Sequence, residues 1–216
     1  MSILDLNLKQ MKKYISILLF LTLLATSCAN SNKKESSEDK PITEKKNPSV
    51  SQIIKKAKEN SSTTDKLKEI APITNAEMDA WMPTEIGSLE RTSYLVDMMP
   101  QMDIFMTKAT FKDPSNQQQL VITFMDGAGE KGSKAIGPYL NLENLYKDKA
   151  DDQGFQKLMT RNAMTIVQKY RKQGDKFDLE FAVKNRYAIK LETKGLTESE
   201  LWSAFDQFHF QKLKGI

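Results

Sequence analysis

One cysteine and one histidine occur in the 216 residues. With Cys28 as the single thiol, no disulfide can form within the chain. Cys28 and His209 together fall short of a zinc site of the usual Cys/His type. An excess of one charge is also missing. Lys and Arg number 32 against 28 Asp and Glu, a net of +4. Residues beyond 27 hold 29 basic and 27 acidic side chains, a net of +2. That balance gives no sign of the clustered basic face a nucleic-acid binder needs, so no nucleic acid is expected as a partner. Long hydrophobic runs are absent as well. The best apolar stretch, Tyr14 to Ala25, is broken by Ser16 and Thr22, and polar residues follow from Asn30. A spanning helix needs ~20 apolar residues to cross ~30 Å of hydrocarbon. The mean hydropathy of −0.52 fits a soluble bulk, and the length fits one domain with extensions.

What is present at the start is an address. Lys12 and Lys13 form a positive region before an apolar stretch of signal-peptide length. Met11 opens a compact signal, and residues 1–10 fit none of its parts. The stretch closes on Leu24-Ala25-Thr26-Ser27-Cys28, which resembles the lipobox of Gram-negative bacterial lipoproteins. It departs from that pattern at Ala25, where Leu is commonest. The resemblance implies cleavage before Cys28, a diacylated thiol and an acylated new amine. Two or three chains give stable anchoring, whereas one gives only marginal affinity at ~0.8 kcal/mol per buried CH₂. By resemblance to the sorting rule of these lipoproteins, Ala29 rather than Asp implies the outer membrane. The charged run Lys33 to Lys40 resembles signals for surface display, and a solvated tether reads the same way.

Residues 1–27 are thus expected to be the signal, residues 28–49 a lipidated tether, and residues 50–216 one domain. Residues 29–49 contain no aromatic and one large aliphatic, Ile42. Such a segment buries too little apolar area to offset its ordering entropy. As a coil its ends stand about 25 Å apart. Val50, Ile53, Ile54 and Ala57 follow helical spacing and predict an amphipathic helix ending near Asn60-Ser61-Ser62. Thr74 to Glu77 and Thr197 to Glu200 read as capping boxes, each with an apolar staple, Ile73 with Met78 and Leu196 with Leu201. A helical but irregular stretch is expected over 134–146, interrupted by Gly137-Pro138. From Ser88 the apolar period becomes two. Alternation over 92–96, 105–112, 118–126, 164–171, 177–183 and 187–193, with a weaker case over 155–160, predicts strands. Asp113 to Asn116, Gln173 to Asp175 and Lys184 to Arg186 are expected turns. The sum is α+β: an antiparallel sheet of five or six strands with helices on one face. Its element order resembles the small sandwich of PsbP and Mog1-like proteins and of uncharacterised envelope lipoproteins.

Candidate chemistry is thin, and no cofactor is expected. Gly127-Ala128-Gly129-Glu130-Lys131-Gly132 matches GxGxxG after a strand, with Asp151 and Asp152 at about the right distance for a ribose partner. Yet the preceding strand alternates, no βαβ unit surrounds it, and an exported chain meets no cytosolic nucleotide pool. A glycine loop is the expectation. Met98, Met99, Met102 and Met106 crowd one segment; thioethers so spaced can hold Cu(I), but packing or an adaptable contact surface is expected instead. His209, between Phe208 and Phe210, lacks any marked nucleophilic partner. Strand charges are expected to form a solvated face with cross-strand ion pairs. The expected role is a non-catalytic binding or accessory module, anchored through Cys28 and meeting an envelope protein or an apolar ligand. The rivals are an envelope hydrolase using acidic residues and a Met-rich copper-binding protein.

Replacing Cys28→Ala is expected to release the protein from membranes and to abolish labelling by radioactive palmitate. Undiminished labelling of that variant would refute the lipobox assignment.

Overall fold

The structure, a computed structural model, describes residues 49–216. The expected signal peptide, Cys28 and the tether up to Pro48 lie outside the described residues. The chain runs α1 (Val50–Lys68), α2 (Asn75–Trp81), β1 (Glu85–Ile86), β2 (Leu89–Leu95), β3 (Met106–Lys112) and β4 (Gln119–Asp126). It continues with α3 (Gly129–Ala135), α4 (Leu142–Leu145), β5 (Lys149–Asp151), β6 (Gly154–Arg161), β7 (Met164–Arg171), β8 (Lys176–Val183), β9 (Tyr187–Lys194) and α5 (Glu198–Gln207).

All strands join one open antiparallel sheet of nine, ordered β1-β2-β3-β4-β9-β8-β7-β6-β5. Two meanders build it, β1 to β4 and β5 to β9, and they meet where β4 pairs with β9. The segment 127–148 carries the chain from the sheet's centre to its far edge. The expectation of five or six strands is therefore too low. β1 and β5 are two and three residues long, too short to show any period. β6 is a full eight-residue strand whose alternation is blurred by Lys157 and Arg161.

Helices cover both faces of the sheet, not one. On the first face Phe111, Ile122, Phe124, Phe181 and Ile189 pack under α2, α5 and the turn at Phe210–Lys212. Trp81 lies 5.6 Å from Phe124 between ring centroids, and Phe205 lies 5.2 Å from Phe181. On the second face Leu67, Ile136 and Leu140 pack against Ala188, with Met125 and Ala182 alongside. Met125 and Ala182 are both cross-strand partners of Ala188, so the three form a row across β4, β9 and β8. Two alanines in that row leave room for α1 and the 3₁₀ turn at Tyr139–Asn141 to approach. Small side chains give little apolar signal, so alternation reads this face as open.

The caps form as their sequences demand. Thr74 accepts from the Glu77 amide while Glu77 accepts from the Thr74 amide, and Thr197 with Glu200 does the same. Ser49 and Gln52 make a third box at the start of α1. That helix runs on to Lys68, past Asn60-Ser61-Ser62, because tertiary contacts hold its polar half. Asn60 donates to the Leu140 carbonyl (3.2 Å) and to Asn141 Oδ1 (2.7 Å), and Leu67 is fully buried. Lys184 and Asn185 both adopt positive φ, +51° and +55°, the geometry of a tight β8–β9 hairpin turn.

That turn delivers Arg186 to Asp126 at the end of β4. Arg186 Nε donates to Oδ1 (2.9 Å) and Nη2 to Oδ2 (2.8 Å), with both side chains buried. Nη2 also donates to the Ala71 carbonyl at 3.0 Å. Asp126 accepts from the Ile73 amide (2.7 Å) and the Ala128 amide (3.0 Å). Every polar atom of the carboxylate thus has a partner, which is the condition for a buried charge to be tolerated.

Arg186→Met should lower the unfolding free energy by about 3–5 kcal/mol, since it leaves a buried carboxylate uncompensated. In a cycle with Asp126→Leu the double variant should lose less than the two singles together. Additive losses in chemical denaturation would contradict this coupling.

Candidate binding surfaces

The glycine motif is explained by the buried pair. A Cβ on Gly127 would stand 2.8 Å from the Arg186 carbonyl oxygen. One on Gly132 would stand 2.8 Å from the Asp126 carbonyl oxygen. Gly129 has φ +80°, where other residues are strained. The glycines let α3 start tightly over the end of β4. The strand is antiparallel to β9, no βαβ unit surrounds it, and the Ala128 amide is already taken by Asp126. Asp151 accepts from the amides of Gln153 and Gly154 and shapes the β5–β6 turn.

The methionine segment forms the loop between β2 and β3. Asp97 and Asp103 take positive φ at its two bends. A short 3₁₀ turn, Pro100–Met102, lies between them, and the Met98 amide donates to the Met106 carbonyl at 2.8 Å. Met99 and Met106 are half-buried. Met98 and Met102 are exposed at 37% and 44%, and Leu95 at the end of β2 at 52%. Beside this loop the outer edge of β2 has no partner strand from Thr92 onward: β1 covers Leu89 and Glu90, and the Arg91 amide donates to the Thr84 carbonyl at 2.9 Å.

A shallow groove of about 250 Å³ opens near the other edge of the sheet, lined in part by Asp151, Gln156, Lys169, Arg171 and Asp178. Charged side chains face one another across the strands here. Asp178 stands opposite Lys169 on β7 and Glu192 on β9, and Glu180 stands opposite Lys190. Arg171 reaches Asp178 at 2.8 Å, Lys169 reaches Glu180 at 2.8 Å, and Lys190 reaches Glu192 at 2.8 Å. Tyr146 donates to the second Glu180 oxygen at 3.0 Å, with Lys169 4.6 Å above its ring. Burial pushes the Asp178 carboxyl above its ordinary value, and Glu192 adds to the rise against the opposing pull of Arg171. Asp178, Glu180 and Glu192 each have a cation, two of them across the β7–β8 pairing and one within β9, so the set is an ion-pair network with one group reluctant to ionise.

His209 is exposed at the start of the turn at 210–212; its carbonyl accepts from Trp81 Nε1 at 3.3 Å. It is not brought to a candidate nucleophile. Among the described residues no group of three or more His, Cys, Asp or Glu side chains could hold a metal ion, and no helix is long and apolar enough to cross a membrane. Sequence reasoning missed both the Asp126–Arg186 pair and Asp178. Neither Asp178 nor Arg186 differs from its neighbours by any local pattern, since each depends on what lies across the sheet. No family model, curated protein or solved structure matches the chain, so the likeness in element order to PsbP and Mog1-like proteins has no matched relative behind it.

The direction of the Asp178 shift fixes a pH dependence. Its folded value lies above the ordinary 3.8, so the native state binds more protons than the unfolded chain between those two values. Stability from this group therefore falls as pH rises through that window. Asp178→Asn should be at least as stable as the parent at pH 7, with the difference closing below about pH 4. A variant clearly less stable at pH 7 in denaturant titrations would contradict the assignment.

Proposed function

We propose that this protein is a lipid-anchored outer-membrane protein, tethered through Cys28, whose domain is a non-catalytic binding module for an envelope protein. The observation that carries the binding role is the exposure of Leu95, Met98 and Met102 within eight residues of chain, at the end of β2 and in the loop that follows it. Exposed apolar side chains next to an unpaired strand edge are a liability unless a partner uses them. Methionine suits such a surface, because its flexible thioether adapts to the partner's shape. The hydrogen bond from the Met98 amide to the Met106 carbonyl closes the base of the loop, which lowers the freedom it would lose on binding.

The hydrolase alternative has one supporting feature, the raised carboxyl of Asp178 within a groove. Against it, Arg171 sits 2.8 Å away and the neighbouring carboxylates are each matched to a cation. That arrangement favours a neutralised surface over an acid poised beside a base.

Photo-crosslinkers placed in intact cells at positions 95, 98 and 102 should capture the same protein, and Met98→Asp with Met102→Asp should abolish capture from position 95. A crosslinker at Ser115, at the opposite end of β3, should capture nothing in common. Identical adducts from position 115, or none from the loop, would count against this surface.

A further inference from the structure

The apolar stripe at the start of α1 is not the side by which that helix packs on the domain. Val50, Ile53, Ile54 and Ala57 share one side, as their spacing dictates. Val50 is 73% exposed, Ile53 45% and Ile54 53%, and Ala57 is exposed as well. The helix touches the domain elsewhere. Lys56 pairs with Glu143, Asn60 bonds to Leu140 and Asn141, and Leu67 enters the second core. At 3.6 residues per turn these positions lie roughly a quarter-turn from the stripe. The stripe is therefore a second surface, left free by the fold. It also stands at the point where the expected tether enters the domain.

We infer that Val50, Ile53, Ile54 and Ala57 lie on the lipid surface that carries the anchor, so that the first half of α1 is a membrane-contacting helix. The inference rests on the lipid-anchored reading of Cys28 and adds a second attachment to it. Two features identify lipid as the occupant. The first is chain length: 21 residues separate Cys28 from the start of α1. At the tether length expected from the sequence, about 25 Å, an anchored chain would keep this helix at high effective concentration beside the headgroups. The second is charge. Lys55 and Lys58 lie on the helix away from its packing side, and Lys45 and Lys46 precede it in sequence, against Glu44 and Glu59. An apolar stripe flanked by lysines is the pattern of a helix lying in the interface of an anionic membrane. Lysine stems cover the apolar boundary while their ammonium groups reach the phosphates.

The test uses the full lipidated protein in vesicles of phosphatidylethanolamine and phosphatidylglycerol. Cysteines are introduced singly as Ile53→Cys, Ala57→Cys, Gln52→Cys and Glu59→Cys, and each is given a nitroxide label. All four positions are outside the core, so the domain's folding is not at stake; Gln52→Cys gives up only the side-chain half of the cap at the first turn of α1. The ratio of oxygen to aqueous nickel collision rates should be several-fold higher at 53 and 57 than at 52 and 59. That contrast should shrink in vesicles lacking phosphatidylglycerol. Equal ratios at the four positions would overturn the inference. Spin–spin broadening at 53 and 57 without the collision contrast would overturn it in favour of a second copy of the chain. The parent protein is the control for the anchor: its one thiol takes up no label if it is acylated. Labelling of the parent would overturn the anchored reading itself, separately from the behaviour of the helix.

Discussion

The buried pair of Asp126 and Arg186 is the contact on which the rest of the domain depends. It joins three segments distant in sequence: the end of β4, the β8–β9 turn and the linker between α1 and α2. β4 and β9 are also where the two meanders meet, so the pair closes the seam of the sheet at one end. Its desolvation is offset only because Ile73, Ala128 and Ala71 supply the remaining hydrogen bonds. The same geometry dictates glycine at 127 and 132, where any side chain would strike the carbonyl oxygens of the pair's own residues. A motif that suggests a phosphate cradle is thus, in this fold, the means of packing a short helix over an ion pair.

Local signals in the sequence were sufficient for local structure. Both capping boxes, the strands with clean alternation and the turns at Asp113, Gly174 and Asn185 are where their residues place them. Each rests on contacts within about five residues, which a sequence displays directly. The failures share a different cause. The second covered face rests on Ala182 and Ala188, whose small size matters only because α1 and the turn at 139–141 arrive from far away. The polar half of α1 is helical because Asn60 and Leu67 find partners far along the chain, in 136–141 and at Ala188. Arg186 sits in a turn, where a charged residue ordinarily signals solvent.

The candidate surfaces were legible to different degrees. The methionine cluster stands out by composition, and the structure places two of its members and Leu95 in the open. The charged strands were legible as a ladder of ion pairs, but not the depth of Asp178 within it. The stripe of α1 was legible as one side of an amphipathic helix, but not which way that side turns. Its orientation away from the core could come only from the position of Asn60 and Leu67. Under the proposed function, these surfaces would give the domain an attachment side near α1 and a contact loop at the β2–β3 connection.

That division of labour stands or falls with the address. The most direct measurement is the intact mass of the protein extracted from envelopes in detergent. The account requires a chain beginning at Cys28, residues 1–27 removed, with the added mass of two or three acyl chains. A mature chain beginning elsewhere, or one with an unmodified thiol at Cys28, would contradict it.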